Sequence, residues 1–202
     1  MCLEKQDIER KKAEDLQLAR AATGGDEQAW RRIYDQTNQQ LFNFLCYQVG
    51  DRDTARDLLQ ETYVTALGRL GTFQGEGTLL SWLRTVALRK CLDWRRRVTR
   101  QLRKLADFSR EQSSLAAQSA QETFPGLGEG FQQALDSLSS RQRAALLLRE
   151  LEDLPFAEVA ATLGCNEATA RVHHHRACQN LRQSLQQGDD LVFGSGAEGS
   201  MS

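Results

Sequence analysis

The chain has 202 residues, 40% hydrophobic and 26% charged, with a formal net charge of −1. These proportions exclude wholesale disorder and leave enough length for one or two buried cores. No apolar run approaches the roughly 20 residues that cross a bilayer, so a membrane span is excluded. The charged residues 1–15 contain no apolar stretch, so the expectation is no export signal and a cytoplasmic location. The five cysteines, Cys2, Cys46, Cys91, Cys165 and Cys178, are odd in number and never form a CxxC pair. They read as reduced thiols packed as small hydrophobes.

Residues 1–14 read as an N-terminal extension. Across residues 26–49, Trp30, Ile33, Tyr34, Leu41, Phe44 and Leu45 recur at three-and-four spacing, which predicts an amphipathic helix that Gly50 stops. Asp51 or Asp53 can cap the next helix, whose apolar face is Ala55, Leu58, Leu59, Thr62, Ala66, Leu67 and Leu70. Asp57 and Glu61, four apart, share its opposite face. Gly71, Gly75 and Gly77 mark a loop. A third helix follows with Leu79, Leu83, Val86, Ala87, Cys91 and Trp94 inward and most arginines outward.

Residues 106–130 lose all periodicity and read as a flexible linker, with a reach of about 80 Å if extended. That is roughly two turns of duplex DNA at ~34 Å each. The second domain, 131–185, opens with Phe131, Leu135 and Leu138 in phase, followed by a Ser139–Gln142 capping box. Pro155 suits the first position of a short helix, Gly164 ends that helix, and Asn166 caps a longer one reaching about Leu185. Residues 186–202 are rich in Gly and Ser and are expected to be a disordered tail. No strand pattern occurs, so the expected fold is all-α, two small helical domains on a flexible linker.

The near-neutral total hides an uneven distribution. Residues 84–104 hold Arg84, Arg89, Lys90, Arg95, Arg96, Arg97, Arg100, Arg103 and Lys104 against Asp93 alone. Nine cations against one acid give +8, so the remainder carries −9. With Trp94 within it and Trp82 two residues before it, such a run can track phosphates and stack on bases, although Trp82 falls on the inward side, where core packing is the better reading.

Enzyme motifs are lacking: no GxxxxGK[ST], HExxH or GxSxG is present. Gly194, Gly196 and Gly199 spell GxGxxG, but only three residues follow, too few for the helix and strand of a dinucleotide site. His173, His174 and His175 lie near Cys165 and Cys178, yet adjacent histidines diverge around a helix. No metal and no cofactor are expected. The pattern from Pro155 to Arg182 is a short helix, a turn at Leu163-Gly164-Cys165-Asn166 and a longer helix carrying Arg171, Arg176 and Arg182. This is a helix-turn-helix design, whose second helix enters the DNA major groove.

On these residues the chain resembles the extracytoplasmic-function (ECF, group IV) sigma factors of bacterial RNA polymerase. The motifs are Asp57-Leu58-Leu59-Gln60-Glu61-Thr62-Tyr63, Phe73-Gln74-Gly75, Ser81-Trp82-Leu83-Arg84-Thr85-Val86-Ala87 and Leu92-Asp93-Trp94-Arg95-Arg96-Arg97. They continue with Leu138 to Arg143, Glu158-Val159-Ala160, Leu163-Gly164 and Thr169 to Arg182. The resemblance implies a sigma domain 2 bundle at 15–105 and a sigma domain 4 helix-turn-helix at 131–185. It implies that Asp57, Gln60 and Glu61 dock on the β′ clamp of core RNA polymerase, with the β flap as a second contact. Phe73, Gln74, Gly75, Arg84, Arg89, Lys90, Arg95, Arg96 and Arg97 would meet the minus-ten element. Asn166, Glu167, Thr169, Arg171, Val172, His175 and Arg176 would meet the minus-thirty-five element. Arg171 is the candidate for a guanine O6/N7 contact, Arg176 for phosphate, and Val172 for a thymine methyl. An anti-sigma factor is implied as a further partner. His174, in phase with Ala170, Ala177 and Leu181, is expected to be partly buried, so that its protonation would loosen packing. The alternatives are a stand-alone helix-turn-helix regulator, which leaves residues 57–63 and 73–97 unexplained, and a sigma mimic that sequesters partners.

Overall fold

The computed structural model describes residues 2–109 and 129–193, with side chains at 8–102, 131 and 133–186. Every regular element among them is helical, and the chain divides into two compact units, 1–121 and 122–202.

In the first unit, α1 (Cys2–Thr23) packs on α2 (Glu27–Val49), which packs on α3 (Arg52–Arg69) and α4 (Leu79–Ser109). A single 3-10 turn, Leu70–Thr72, follows α3 and contacts α1. The ends follow local chemistry. Asp26 accepts from the N–H groups of Gln28 and Ala29 at 2.9 and 3.1 Å. Gly50 closes α2 in the left-handed region (φ 77°), where L side chains are disfavoured. Asp51 then caps α3 by accepting from Thr54 N–H at 2.7 Å, and hydrogen bonding from the Thr54 side chain first, then from this N–H, lowers its carboxyl pKa. The core is Ile33, Leu41, Leu45, Leu58 and Leu83, each at most 1% exposed. Burying such a side chain contributes about 1.5–3 kcal/mol.

Tyr34 and Leu67, expected inside, are exposed. Tyr63 takes a core position instead: its hydroxyl shares a 2.7 Å hydrogen bond with Thr37 and its ring meets Trp30 edge-on. Burial pushes this phenol up to about 12. The expected N-terminal extension is helical from Cys2, and its helix supplies the buried residues Asp15, Ala19 and Ala22. Its most buried positions are small or acidic, so they leave no strong hydrophobic stripe to find in the sequence.

The second unit contains α5 (Glu129–Asp136), α6 (Ser140–Glu150), α7 (Phe156–Leu163) and α8 (Glu167–Phe193), with α8 packed on the other three. The Ser139–Gln142 capping box is present. Arg143, fully buried, donates from Nη2 to the Leu135 carbonyl and to Asp136 Oδ1 (2.8 Å), tying α6 to the end of α5. Leu135, Leu148, Val159, Ala170 and Ala177 are sealed in this unit at 0% exposure. Pro155 stands one residue before α7, at the N-cap, because its ψ of 151° is extended rather than helical.

Two expected boundaries shift. Helix α4 continues to Ser109 and α5 begins at Glu129, so both ends of the 106–130 stretch are helical; residues 110–128 lie outside the described residues. Helix α8 runs past Leu185 to Phe193, so the first residues of the expected tail continue it, and 194–202 lie outside the described residues.

Candidate nucleic-acid interface

The loop between α3 and α4 is held by α1. Asp15, 3% exposed, accepts from the Leu79 N–H at 2.8 Å through one oxygen and pairs with Lys11 at 3.0 Å through the other. It thereby supplies one of the orphan N–H partners of the first turn of α4. Thr78 accepts from Ser81 N–H at 3.2 Å and supplies another. Gly75 has φ +76°, and a Cβ there would stand 3.2 Å from Leu16 Cδ2. Glycine at this position thus satisfies both the backbone and the close approach of α1.

The loop presents Gln74 to solvent and Gly75 partly. Phe73, expected to face DNA, is only 6% exposed and packs against Trp82, ring centroids 6.0 Å apart. It is a floor for the loop rather than a free ring.

Helix α4 divides its cations between two faces. Arg84 is 2% exposed, which corrects its expected surface position. Arg84, Leu88, Cys91 and Arg95 are spaced four, three and four apart, so they share one side of the helix, and on it Leu88 and Cys91 are buried too. Arg95 is half-buried and donates to the Gln48 carbonyl at 2.6 Å, bracing α4 against the end of α2. The helical spacing that predicts the inward apolar residues was sufficient to place Arg84 with them. Arg89, Arg96 and Arg97 do face solvent. Arg96 lies 3.4 Å from Asp93, and Lys90 is partly covered.

On α3, Asp57 and Gln60 are exposed and Glu61 is partly so. Glu61 lies 3.6 Å from Lys90 and 3.9 Å from Arg97, so the acidic candidate and two basic ones meet at the α3–α4 seam. Exposed pairs of this kind contribute about 0–1 kcal/mol and yield readily to another partner.

In the second unit, Gly164 (φ 65°) turns the chain and Asn166 accepts from Thr169 N–H at 2.8 Å, starting α8. Glu167, Arg171, Val172, His175 and Arg176 are exposed, while Ala170 and Ala177 are buried behind them. Thr169 is partly covered. Arg171 forms an ion pair with Glu167 and lies over the Phe156 ring, its Cζ 4.4 Å from the centroid. The small residues on the inner side let α8 approach its neighbours while the larger polar ones remain outward.

The histidines divide according to their neighbours. His173 is partly buried, and burial first, then Arg141 and Arg176, lowers its pKa. His174 lies 2.7 Å from Glu150 and packs edge-on against Phe156. His174 is partly buried, as its phase with Ala170 and Ala177 predicts. Cys178, 3.6 Å from His174 Nε2, has its thiol pKa raised by burial and then by Glu150, the opposite of a reactive thiolate. Among the described residues no group of three His, Cys, Asp or Glu side chains is placed to hold a metal ion. None of their helices is long and apolar enough to cross a membrane.

The Sigma-70 region 2 family matches residues 33–101, which include the loop and α4 as far as the basic run. The Sigma-70, region 4 family matches residues 129–181, which include the helix-turn-helix. The ECF RNA polymerase sigma factor SigX of Bacillus subtilis (strain 168) is 30% identical over 167 residues, covering 79% of this chain and 85% of SigX. The sigma factor RpoE, solved in complex with the anti-sigma factor NepR from Bartonella quintana, matches with a TM-score of 0.55 and 25% identity over 78% of this chain and 96% of that one. CnrH, solved with the cytosolic domain of CnrY, shares the fold with a TM-score of 0.61 at 20% identity, over 86% of this chain and 97% of that one. With both regions in order and a surface of exposed polar and basic residues on each, the chain belongs to the ECF RNA polymerase sigma factors, which direct core polymerase to specific promoters and assist promoter opening.

Proposed function

We infer that this chain is a group IV, cytoplasmic sigma factor whose two units divide the work of promoter recognition, with 15–105 acting at the polymerase clamp and minus-ten element and 131–185 at the minus-thirty-five element. Asp57, Gln60 and Glu61 dock on the β′ clamp, and the second unit lies against the β flap. Gln74 and Gly75 receive an unstacked base beside Phe73, where a cleft of about 300 Å³ bounded by Leu16, Arg20, Phe73 and Gln74 offers room for one. Arg89, Lys90, Arg96 and Arg97 meet the opened strand and its phosphates, while Arg84 is buried and Arg95 braces the helix that presents them. The N-cap Asn166 sets the entry of α8, along which Glu167, Thr169, Arg171, Val172, His175 and Arg176 meet the upstream duplex.

The observation that carries this reading is the segregation of exposed side chains: Asp57 and Gln60 on α3, Arg89, Arg96 and Arg97 on α4, and Arg171, Val172, His175 and Arg176 on α8. Docking at Glu61 draws that carboxylate away from Lys90 and Arg97, leaving both cations for phosphate. The chain makes and breaks no bond itself; it supplies selectivity and captures bases that would otherwise restack. Two weak DNA contacts on one tether act together through effective concentration. An anti-sigma protein competing for these surfaces holds the chain inactive, by likeness to RpoE, which was solved with one.

The test uses holoenzyme assembled from this chain and core polymerase, on a promoter that the holoenzyme itself has selected from randomised duplexes. A D57A/Q60A/E61A variant is expected to lose core binding and all transcript. An R96A/R97A variant is expected to keep core binding but lose open-complex formation. Retention of core binding by the first variant, or full promoter opening by the second, overturns the division of roles.

A further inference from the structure

Phe156 opens α7, at the start of the helix-turn-helix, and its ring is half-buried. Three side chains converge on it. The Arg171 guanidinium of α8 lies 4.4 Å from the ring centroid, the Arg149 guanidinium of α6 lies 5.5 Å away, and the His174 ring meets it edge-on at 5.4 Å. Two of these are themselves anchored. Arg149 donates to the Leu154 carbonyl at 3.0 Å, and His174 lies 2.7 Å from Glu150. The ring is consequently gripped from both α6 and α8, whereas Arg171 is 58% exposed at its side chain and, among the described residues, is otherwise held by its ion pair with Glu167.

An exposed pair four residues apart on a helix is a weak, salt-screened restraint. The aromatic face is a different kind of restraint, since it attracts the flat guanidinium and limits its tilt. A bidentate grip on guanine O6 and N7 needs that plane held at one angle to the base pair, and a flexible arginine loses conformational entropy when it takes up that angle. Stacking removes part of that cost before DNA arrives.

We propose that Phe156 is a positioning residue for sequence readout: its ring holds the Arg171 guanidinium in the plane required to engage a guanine edge. The inference rests on the reading of Arg171 as the guanine contact. It adds a residue from the supporting helix, outside the exposed stripe of α8, to those that set promoter preference.

The experiment selects bound sequences from a randomised upstream duplex with full-chain holoenzyme, and reads the base preference at each position for wild type, R171A, F156L and F156Y. R171A is expected to abolish a guanine preference at one position. F156L is expected to reduce the preference at that same position by about three- to tenfold while leaving the others as they were. F156Y, which keeps the aromatic face, is expected to restore it. If R171A removes a guanine preference that F156L leaves intact, the positioning role is wrong and the reading of Arg171 stands. If R171A changes no position, the reading of Arg171 fails and the inference falls with it. If F156L flattens every position equally, or F156Y fails to restore the one position, Phe156 acts only in packing and the proposal is overturned.

Discussion

The loop at 73–78 and the turn at 164–166 do the same structural task, each joining two helices and presenting the second, yet they are held differently. The first depends on Asp15, 64 residues from the Leu79 N–H that it caps, and on Leu16 lying against Gly75. The second is closed by bonds from Gly164 N–H to Ala161 and from Cys165 N–H to Ala160, with Asn166 capping Thr169 N–H three residues on. A turn made of neighbouring residues is specified wherever its short segment is intact. A loop held by a distant helix is specified only when that helix docks, so perturbing α1 reaches the 73–78 loop without touching it.

The largest expected effect challenges the idea that the second unit is local throughout. Arg143→Ala removes a buried cation that partners the Leu135 carbonyl and Asp136, and is expected to cost about 3 kcal/mol. The three tryptophans, Trp30, Trp82 and Trp94, all lie in the first unit. Hydrogen exchange should therefore show loss of protection in 129–186 while the tryptophan fluorescence transition in denaturant stays unchanged. A shift of that transition would mean the units do not respond separately.

Gly75→Ala is expected to cost about 1–2 kcal/mol, because an L residue enters the left-handed region. The same Cβ presses on Leu16 Cδ2, so exchange should rise in α1 as well as in the loop. Elevated exchange confined to the loop would show that α1 does not hold it.

Asp15→Ala and Asn166→Ala sharpen the contrast directly. Each removes a cap worth about 1 kcal/mol. Asp15→Ala should speed amide exchange across 73–79 and lower promoter opening. Asn166→Ala should affect only the first turn of α8. Equal and local responses from both would erase the distinction between the two loops.

The smallest effect concerns pH. Burial, then Arg141 and Arg176, depress the His173 pKa in the folded chain, so the unfolded chain binds more protons as pH falls. The contribution of this residue to stability is full above its unfolded pKa of about 6.5 and declines as pH drops below it. Thermal unfolding of the second unit, followed by hydrogen exchange at pH 7.5 and about pH 5.5, should show a small acid destabilisation that His173→Gln reduces. No change between the two variants would remove His173 as its source.

Much of the architecture is legible in the order of residues. The stops at Gly50 and Gly164, the cap at Asn166 and the capping box at Ser139 follow from short-range chemistry, and each lies where residue type and spacing put it, while of the two acids that could cap α3 the structure uses Asp51. The exposed stripe of Arg171, Val172, His175 and Arg176 is likewise readable from helical period. Helix α1 escapes such a reading because its buried positions are Asp15, Ala19 and Ala22 rather than large apolar residues. The burial of Phe73 and the exposure of Leu67 escape it for a related reason: hydrophobicity marks what can be buried, and neighbours from other helices decide what is.

What the amino-acid order determined by itself was the all-helical class, most helix ends, the concentration of basic residues on one helix and the helix-turn-helix, because these depend on contacts within a few residues. Tertiary structure alone decided that an acid in α1 starts α4, that Arg95 braces α4 against α2 instead of reaching outward, that Arg143 joins two helices from a sealed position, and that Phe156 lies beneath Arg171. Each of those outcomes needs a partner from another element. Only packing, which makes an unpaired buried charge or carbonyl costly, selects which partner that will be.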